Sequence, residues 1–261
     1  MLPTPCYILS DVHLGVVTPD REDAFVRFLR HLDGRAASVV VNGDLFDFWF
    51  EWKSVIPRQS FRVLAELRRL RDAGVPIVWI AGNHDCWGGE VLRDDVGVDF
   101  REGPWEGRIG QWTTRIEHGD GLREVEDRAY RRLRTVLRHP WAIRAFRWLH
   151  PDFASRVAIG SSRTSRDHRP GDGGEGLHRV ASELLAARPD LDLVVFGHSH
   201  APVLTRMPGR GVYANPGSWL DDPRYLVVDE QRITVRRWPD SAQDDALDAL
   251  DRRTEESLAQ P

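Results

Sequence analysis

The chain has 261 residues, 41% hydrophobic and 29% charged, with a net charge of −4. That balance belongs to a globular chain long enough for one large α/β core, and no run of about 18 apolar residues offers a membrane span. Two cysteines, Cys6 and Cys86, are too few for a disulfide framework and point to a reducing, cytoplasmic setting.

The N-terminus, MLPTPCYILSD, enters a strand at once and lacks the basic segment of a secretory signal. Four short apolar runs each end in a polar loop: CYILSDVHL, ASVVVNGDLFD, PIVWIAGNHD and LDLVVFGHSH. They read as buried strands. Amphipathic helices are expected around 20–33 and 57–73, the second closed by Gly74 and Pro76. TTRIEHGD reads as a weaker strand. Residues 123–187 break the alternation with a helical, Arg- and Trp-rich segment that ends in RPGDGGEG, an insertion with a flexible lip. GVYANPGSW, RYLVVDE and RITVRRW then read as antiparallel strands. The division expected is a catalytic domain over 1–239, interrupted by a helical cap at about 123–187, and an acidic, helix-prone tail over 240–261.

Charge is unevenly spread. Residues 121–170 hold twelve Arg against five acids, and residues 240–261 hold seven acids against two Arg. A basic block suits a polyanionic partner. Arginine is nevertheless the default cation of this chain, because Lys53 is its one lysine.

The ends of the strands carry the chemistry. Asp11 and His13 follow the first, Asp44 the second, and Asn83, His84 and Asp85 the third; His118, His198 and His200 follow two more. Ligands of α/β sheets gather beyond the carboxyl ends of strands. In Gly-His-Ser-His, the two imidazoles face one way if the chain there is extended. Two Asp, one Asn and four His suit two divalent cations if one carboxylate bridges. Oxygen and nitrogen donors without thiolate favour Mn²⁺, with Fe or Zn²⁺ as alternatives. Such a pair lowers the pKa of a shared water and clamps a phosphoryl group. His84 has no metal duty and is the candidate general acid, with Asp85 beside it to fix its tautomer.

SDVHL, NGDLFD, GNHD, HGD and GHSH together resemble the calcineurin-like metallophosphoesterases over roughly residues 5–220. The resemblance implies a four-layer α/β/β/α sandwich. It implies one metal held by Asp11, His13, Asp44 and His200, and another by Asp44, Asn83, His118 and His198. GDLFDFW, HGD and DRAYRRLRTVLRHP further resemble the UDP-2,3-diacylglucosamine pyrophosphatases of lipid A synthesis, and NPGSW fits the wider subgroup. On that resemblance Asp127, Tyr130 and Arg134 would bind substrate. The cap, with Trp141, Phe146 and Trp148, would meet a lipid-nucleotide and touch the membrane surface peripherally, at its inner face. One residue departs from that branch, which usually carries Arg where this chain has His84. The other readings are a general phosphodiesterase or phosphomonoesterase on a soluble nucleotide or phosphoprotein, a nuclease, and a non-catalytic metal-binding scaffold. Nucleic acid is the weaker partner, since the chain has no room for further DNA-binding domains.

Overall fold

The computed structural model describes residues 1–167, 172–209, 211–220, 222–239 and 247–252, with side chains outside 159 and 161–167. The SSRTSR side chains, positions 169–171 of the expected flexible lip, and positions 240–246 and 253–261 of the expected tail lie outside the described residues.

Two sheets face each other. The first is built on three parallel strands, β1 (Cys6–Leu9), β2 (Ser38–Asn42) and β3 (Ile77–Ile80), linked by α1 (Pro19–His31) and α2 (Phe61–Asp72). β4 (Asp99–Arg101) extends it in parallel beyond β3. The second sheet takes β5 (Trp105–Ile109) and β6 (Trp112–Ile116) as a hairpin. Four helices follow: α3 (Arg128–Leu137), α4 (Pro140–Arg147), α5 (Pro151–Asp167) and α6 (Glu175–Ala187). β7 (Leu193–Val195) then pairs in parallel with β6, while β8 (Val203–Arg206) and β9 (Val212–Asn215) complete that sheet. β10 (Arg224–Val228) returns to pair antiparallel with β1, and β11 (Arg232–Arg237) and β12 (Asp248–Asp251) extend the first sheet.

Strand alternation sorts the side chains into three apolar layers. Tyr7 and Leu9 turn outward onto α1 and α2, with Phe25, Phe28, Leu64 and Leu67. Cys6 and Ile8 turn inward and meet Trp112, Ile116, Leu193 and Val195 of the facing sheet. Val194, Phe196 and Tyr213 turn out of the second sheet onto Leu177, Ala181 and Leu185 of α6. The four-layer α/β/β/α sandwich is therefore observed, and α6 forms its outer layer rather than part of an overhanging cap. A fourth cluster joins Phe48, Phe50, Trp52 and Trp87 to Ile143, Phe146, Ala154 and Ala158 of α4 and α5.

Both expected helices form close to the expected bounds. The C-terminal strands differ from the all-antiparallel reading. β9 lies parallel to β7 in the second sheet and antiparallel only to β8, while β10 and β11 belong to the first sheet. Part of the stretch expected to be a terminal helix is the edge strand β12. Its Leu250 packs on the inter-sheet core, and that burial outweighs weak strand propensity.

Trp219 sits at the junction of core and site. It is fully buried with ring centroids 5.0 and 5.1 Å from Phe25 and Phe28, and its backbone N–H donates to the Asp11 carbonyl at 3.1 Å. Trp219→Ala is expected to cost about 3–5 kcal/mol, read as a fall in Tm of roughly 10 °C for a chain of this size. A fall of under about 2 °C in calorimetry would show that the packing here is not what holds the loop.

Candidate metal centre

Every candidate ligand lies just beyond the C-terminal end of β1, β2, β3, β6 or β7. These five strands run parallel within their two sheets, so their ends open on one edge of the sandwich. Among the described residues, the non-glycine positions with positive φ are Asp11, His13, Asp44, His198 and His200, at +52 to +60°. The left-handed region costs an L-residue roughly 1–2 kcal/mol, and Asp and His tolerate it better than most. Five such residues gathered at one site mark a backbone held by its surroundings. His198 and His200 are therefore not on extended chain, as the motif's spacing suggested. Each sits in a left-handed turn that aims it at a different group of partners.

Those groups are distinct. Asp11, His13 and His200 form one; Asp44, His118 and His198 form another; His13, Asp44 and His84 a third, each with potential ligand atoms within 4.8 Å of one another. In the first, His13 Nε2 lies 3.2 Å from His200 Nε2 and 3.9 Å from both Asp11 Oδ1 and Asp44 Oδ2. In the second, His118 Nε2 is 3.3 Å from Asp44 Oδ2, and the His118 and His198 rings are 5.3 Å apart. Asp44 touches both sides.

The donor atoms are ready for cations. Asp11 Oδ1, Asn83 Oδ1 and His118 Nε2 are buried without a hydrogen-bond partner, which is costly unless something else satisfies them. His118 Nδ1 lies 2.8 Å from the Asn42 carbonyl. A carbonyl only accepts, so Nδ1 carries the hydrogen and Nε2 presents its lone pair to the site. The residues present therefore fit divalent metals.

Charge is balanced inside the cluster. Burial pushes the Asp44 carboxyl upward, but His118, His84 and His13 around it hold it well below the usual range. Burial likewise opposes ionisation of Asp11, yet His200 and His118 bring it down to about 2. His118 is raised well above an ordinary imidazole by Asp44 and Asp11 despite its burial. His198 goes the other way, to about 4, through burial and the charge of His118.

Glycines give the space. A Cβ at Gly43 would fall on the His118 imidazole, one at Gly82 on the Asp44 carboxylate, and one at Gly197 on Ser10 and Asp11. The NPGSW segment buttresses from behind. Asn215 Nδ2 donates to the Gly197 carbonyl at 2.8 Å, and Ser218 Oγ donates to the Asp11 carbonyl at 3.0 Å.

Asp85 does not serve His84. Its carboxylate accepts from the backbone N–H of Gly82 and Leu45 at 2.7 and 2.8 Å and from Trp79 Nε1 at 3.2 Å. It ties the β2 and β3 loops together, and burial beside Asp44 raises its pKa to about 6. The residue missed is Asp47, visible in the sequence as the second acid of GDLFD. Its carbonyl lies 3.0 Å from His84 Nδ1, and its carboxylate is 3.7 Å from that atom and 3.3 Å from His13 Nδ1.

The three substrate-binding candidates are engaged elsewhere. Asp127 is fully buried and receives Arg123 through its Nη2 at 2.8 Å and Nε at 3.2 Å. Tyr130 Oη donates to Asp120 Oδ2 at 2.7 Å, and Arg134 Nη1 donates to the Asp120 carbonyl at 2.9 Å. Tyr130 and Arg134 root the insertion beside His118, and Asp127 fastens its first residue, Arg123. Resemblance alone could not separate anchoring from substrate contact.

The family described as calcineurin-like phosphoesterase matches residues 4–202. A UDP-2,3-diacylglucosamine hydrolase of Porphyromonas gingivalis is 28% identical over 258 residues, covering 90% of this chain and 97% of that one. One of Stenotrophomonas maltophilia is 30% identical over 235 residues, covering 85% and 93%. One of Vibrio cholerae is 29% identical over 236 residues, covering 87% and 95%.

Gly43→Ala tests the close fit. The added methyl must displace His118, so metal analysis after loading is expected to find one ion lost and the one beside His13 and His200 kept. Undiminished binding of both ions would refute the assignment of His118.

Proposed function

The chain belongs to the calcineurin-like phosphoesterase family of metal-dependent hydrolases, and we propose that it cleaves the diphosphate of UDP-2,3-diacylglucosamine or a close lipid-nucleotide. The observation that carries the reading is the pair of ligand groups sharing Asp44. On this reading Asp11, His13, Asp44 and His200 hold one ion, and Asp44, Asn83, His118 and His198 the other. The donor set suits Mn²⁺. When bound, the two ions acidify a water and neutralise charge on the phosphoryl group.

The chain's own residues do the rest. Water's oxygen forms a bond to one phosphorus, the bridging P–O bond breaks, and the leaving phosphate keeps that electron pair. His84 Nδ1–H donates to the Asp47 carbonyl, which directs Nε2 toward the reacting side, 3.8 Å from Asp44 Oδ2. From there Nε2 stabilises the phosphoryl oxygens or protonates the leaving oxygen. Asp47 steadies both His13 and His84.

The catalytic domain takes in 1–239 together with the edge strand β12, and the cap, α3 to α5, is rooted after His118. α3, α4 and α5 expose Leu133, Val136, Trp141, Phe153 and Val157, with Trp148 between helices at 91% exposure. Arg128, Arg131, Arg132 and Arg144 lie on the same helices. Apolar side chains with cations around them suit the surface of an anionic membrane, where a lipid substrate resides. No described helix is long and apolar enough to cross one.

Mn²⁺-loaded protein is expected to hydrolyse UDP-2,3-diacylglucosamine to UMP and the lipid phosphate, and to cleave bis-p-nitrophenyl phosphate slowly. Turnover of the small ester without any release of UMP would move the substrate to a soluble phosphodiester. His84→Ala should keep both ions while kcat falls about 10²–10⁴-fold; an unchanged rate on a poor leaving group would remove His84 from the chemistry.

A further inference from the structure

Beneath the cap lies a cavity of about 340 Å³, apart from the metal-ligand clusters. Its walls are the segment after Phe48, the loop after Asp85, the end of α3 and the inner side of α4. We propose that this cavity is a nucleobase subsite, which takes the pyrimidine of the substrate's nucleotide half. This rests on the lipid-nucleotide reading above.

The inner wall has three parts. Phe50, Trp52 and Trp87 give aromatic surface, with Phe50 and Trp52 buried and their rings 4.7 Å apart. Glu51 is buried and saturated, accepting from the backbone N–H of Gly89, Val91 and Leu92 and from Trp49 Nε1. Arg138 is not saturated. Its Nη1 donates to the Glu102 carbonyl at 3.0 Å, but Nε and Nη2 are buried without a hydrogen-bond partner, Nη2 standing 3.8 Å from Asp120 Oδ2. Nε and Nη2 form the parallel fork of a guanidinium, made for a ligand with two acceptors or one shared acceptor.

Three ligand chemistries compete. An acyl chain would leave a buried guanidinium edge unsatisfied, which costs about 1–3 kcal/mol or more for a charged group. A phosphate would use the fork but not the aromatic walls, and the rim offers it no surplus of cations. Lys53, Arg93 and Arg147 there are offset by Glu90, Asp95 and Glu102. A uracil ring uses both features. Its face stacks on an indole, a contact worth about 1–3 kcal/mol per base, and one of its carbonyl oxygens accepts from both arms of the fork. Position agrees. Cys86 on the wall is two residues from His84, at most about 7 Å along the chain, so the cavity borders the loop that carries His84, within a nucleotide's reach of the metal centre.

The test is the affinity for UMP, uridine and orthophosphate of the Mn²⁺-loaded protein, measured by calorimetry for wild type, Arg138→Met and Ile143→Trp, the last filling the cavity. Expected are UMP binding at least tenfold tighter than orthophosphate, detectable uridine binding, and a loss of tenfold or more for UMP in both variants with orthophosphate unchanged. UMP no tighter than orthophosphate, or equal in wild type and both variants, would overturn the proposal. So would parallel losses for UMP and orthophosphate, which would mark a phosphate site or a damaged centre. Weaker binding of a diacylated lipid phosphate in Ile143→Trp together with unchanged UMP would likewise assign the cavity to acyl chains. Failure of the lipid-nucleotide reading shows separately, as absent UDP-2,3-diacylglucosamine cleavage with the UMP losses intact. Cleavage with unmoved UMP affinity would sink the subsite alone.

Discussion

Two carboxylates, Asp11 and Asp44, are fully or almost fully buried at the edge where two sheets meet. Isolated charges there would be prohibitive, and the rest of the structure can be understood as their compensation. Imidazoles from four loops converge on them, backbone N–H groups of His84 and His198 donate to them at 2.9 and 3.0 Å, and several donor atoms are left facing inward for cations. The strained backbone follows from the same demand. Three of the loops, those after β1, β2 and β7, turn sharply at the ligand itself, and the left-handed conformation of Asp11, His13, Asp44, His198 and His200 is that turn.

The sandwich makes the convergence stiff. β1, β2 and β3 on one sheet and β6 and β7 on the other are locked by the layer of Cys6, Ile8, Val40, Ile116, Leu193 and Val195 between them. Ligands from opposite sheets therefore cannot drift apart without opening the core. The cap is joined to this frame through aromatic rings. Phe48 and Phe50 continue from the Asp44 loop, Trp87 from the His84 loop, and Phe146 of α4 packs against Phe50 at 4.9 Å and Trp87 at 5.2 Å. The cap is thus held by the same loops that carry the ligand side chains.

Much of this was legible in the sequence because strand ends, glycines and ligand types coincide at each motif. The parallel strands of both sheets, α1 and α2, and the gathering of Asp11, His13, Asp44, His118, His198 and His200 follow from short apolar runs that stop at charged loops. Pairing partners were less legible. The period-two pattern of GVYANPGSW names a buried strand but not its sheet, and so β9 was misassigned to an antiparallel set. DALDAL is helix-prone in isolation, and pairing with β11 together with the burial of Leu250 makes β12 a strand. Asp47 stands where Asp85 is expected for a similar reason: adjacency to His84 in sequence suggests Asp85, whereas the turn of the loop brings Asp47 to the ring.

The central claim is that Asp44 is shared by two cations. Anomalous diffraction from crystals soaked in Mn²⁺ tests it most directly. The account predicts two peaks about 3.5–4 Å apart, both within bonding distance of Asp44, one beside His13 and His200 and the other beside His118 and His198. A single peak, or two that do not both contact Asp44, would contradict it.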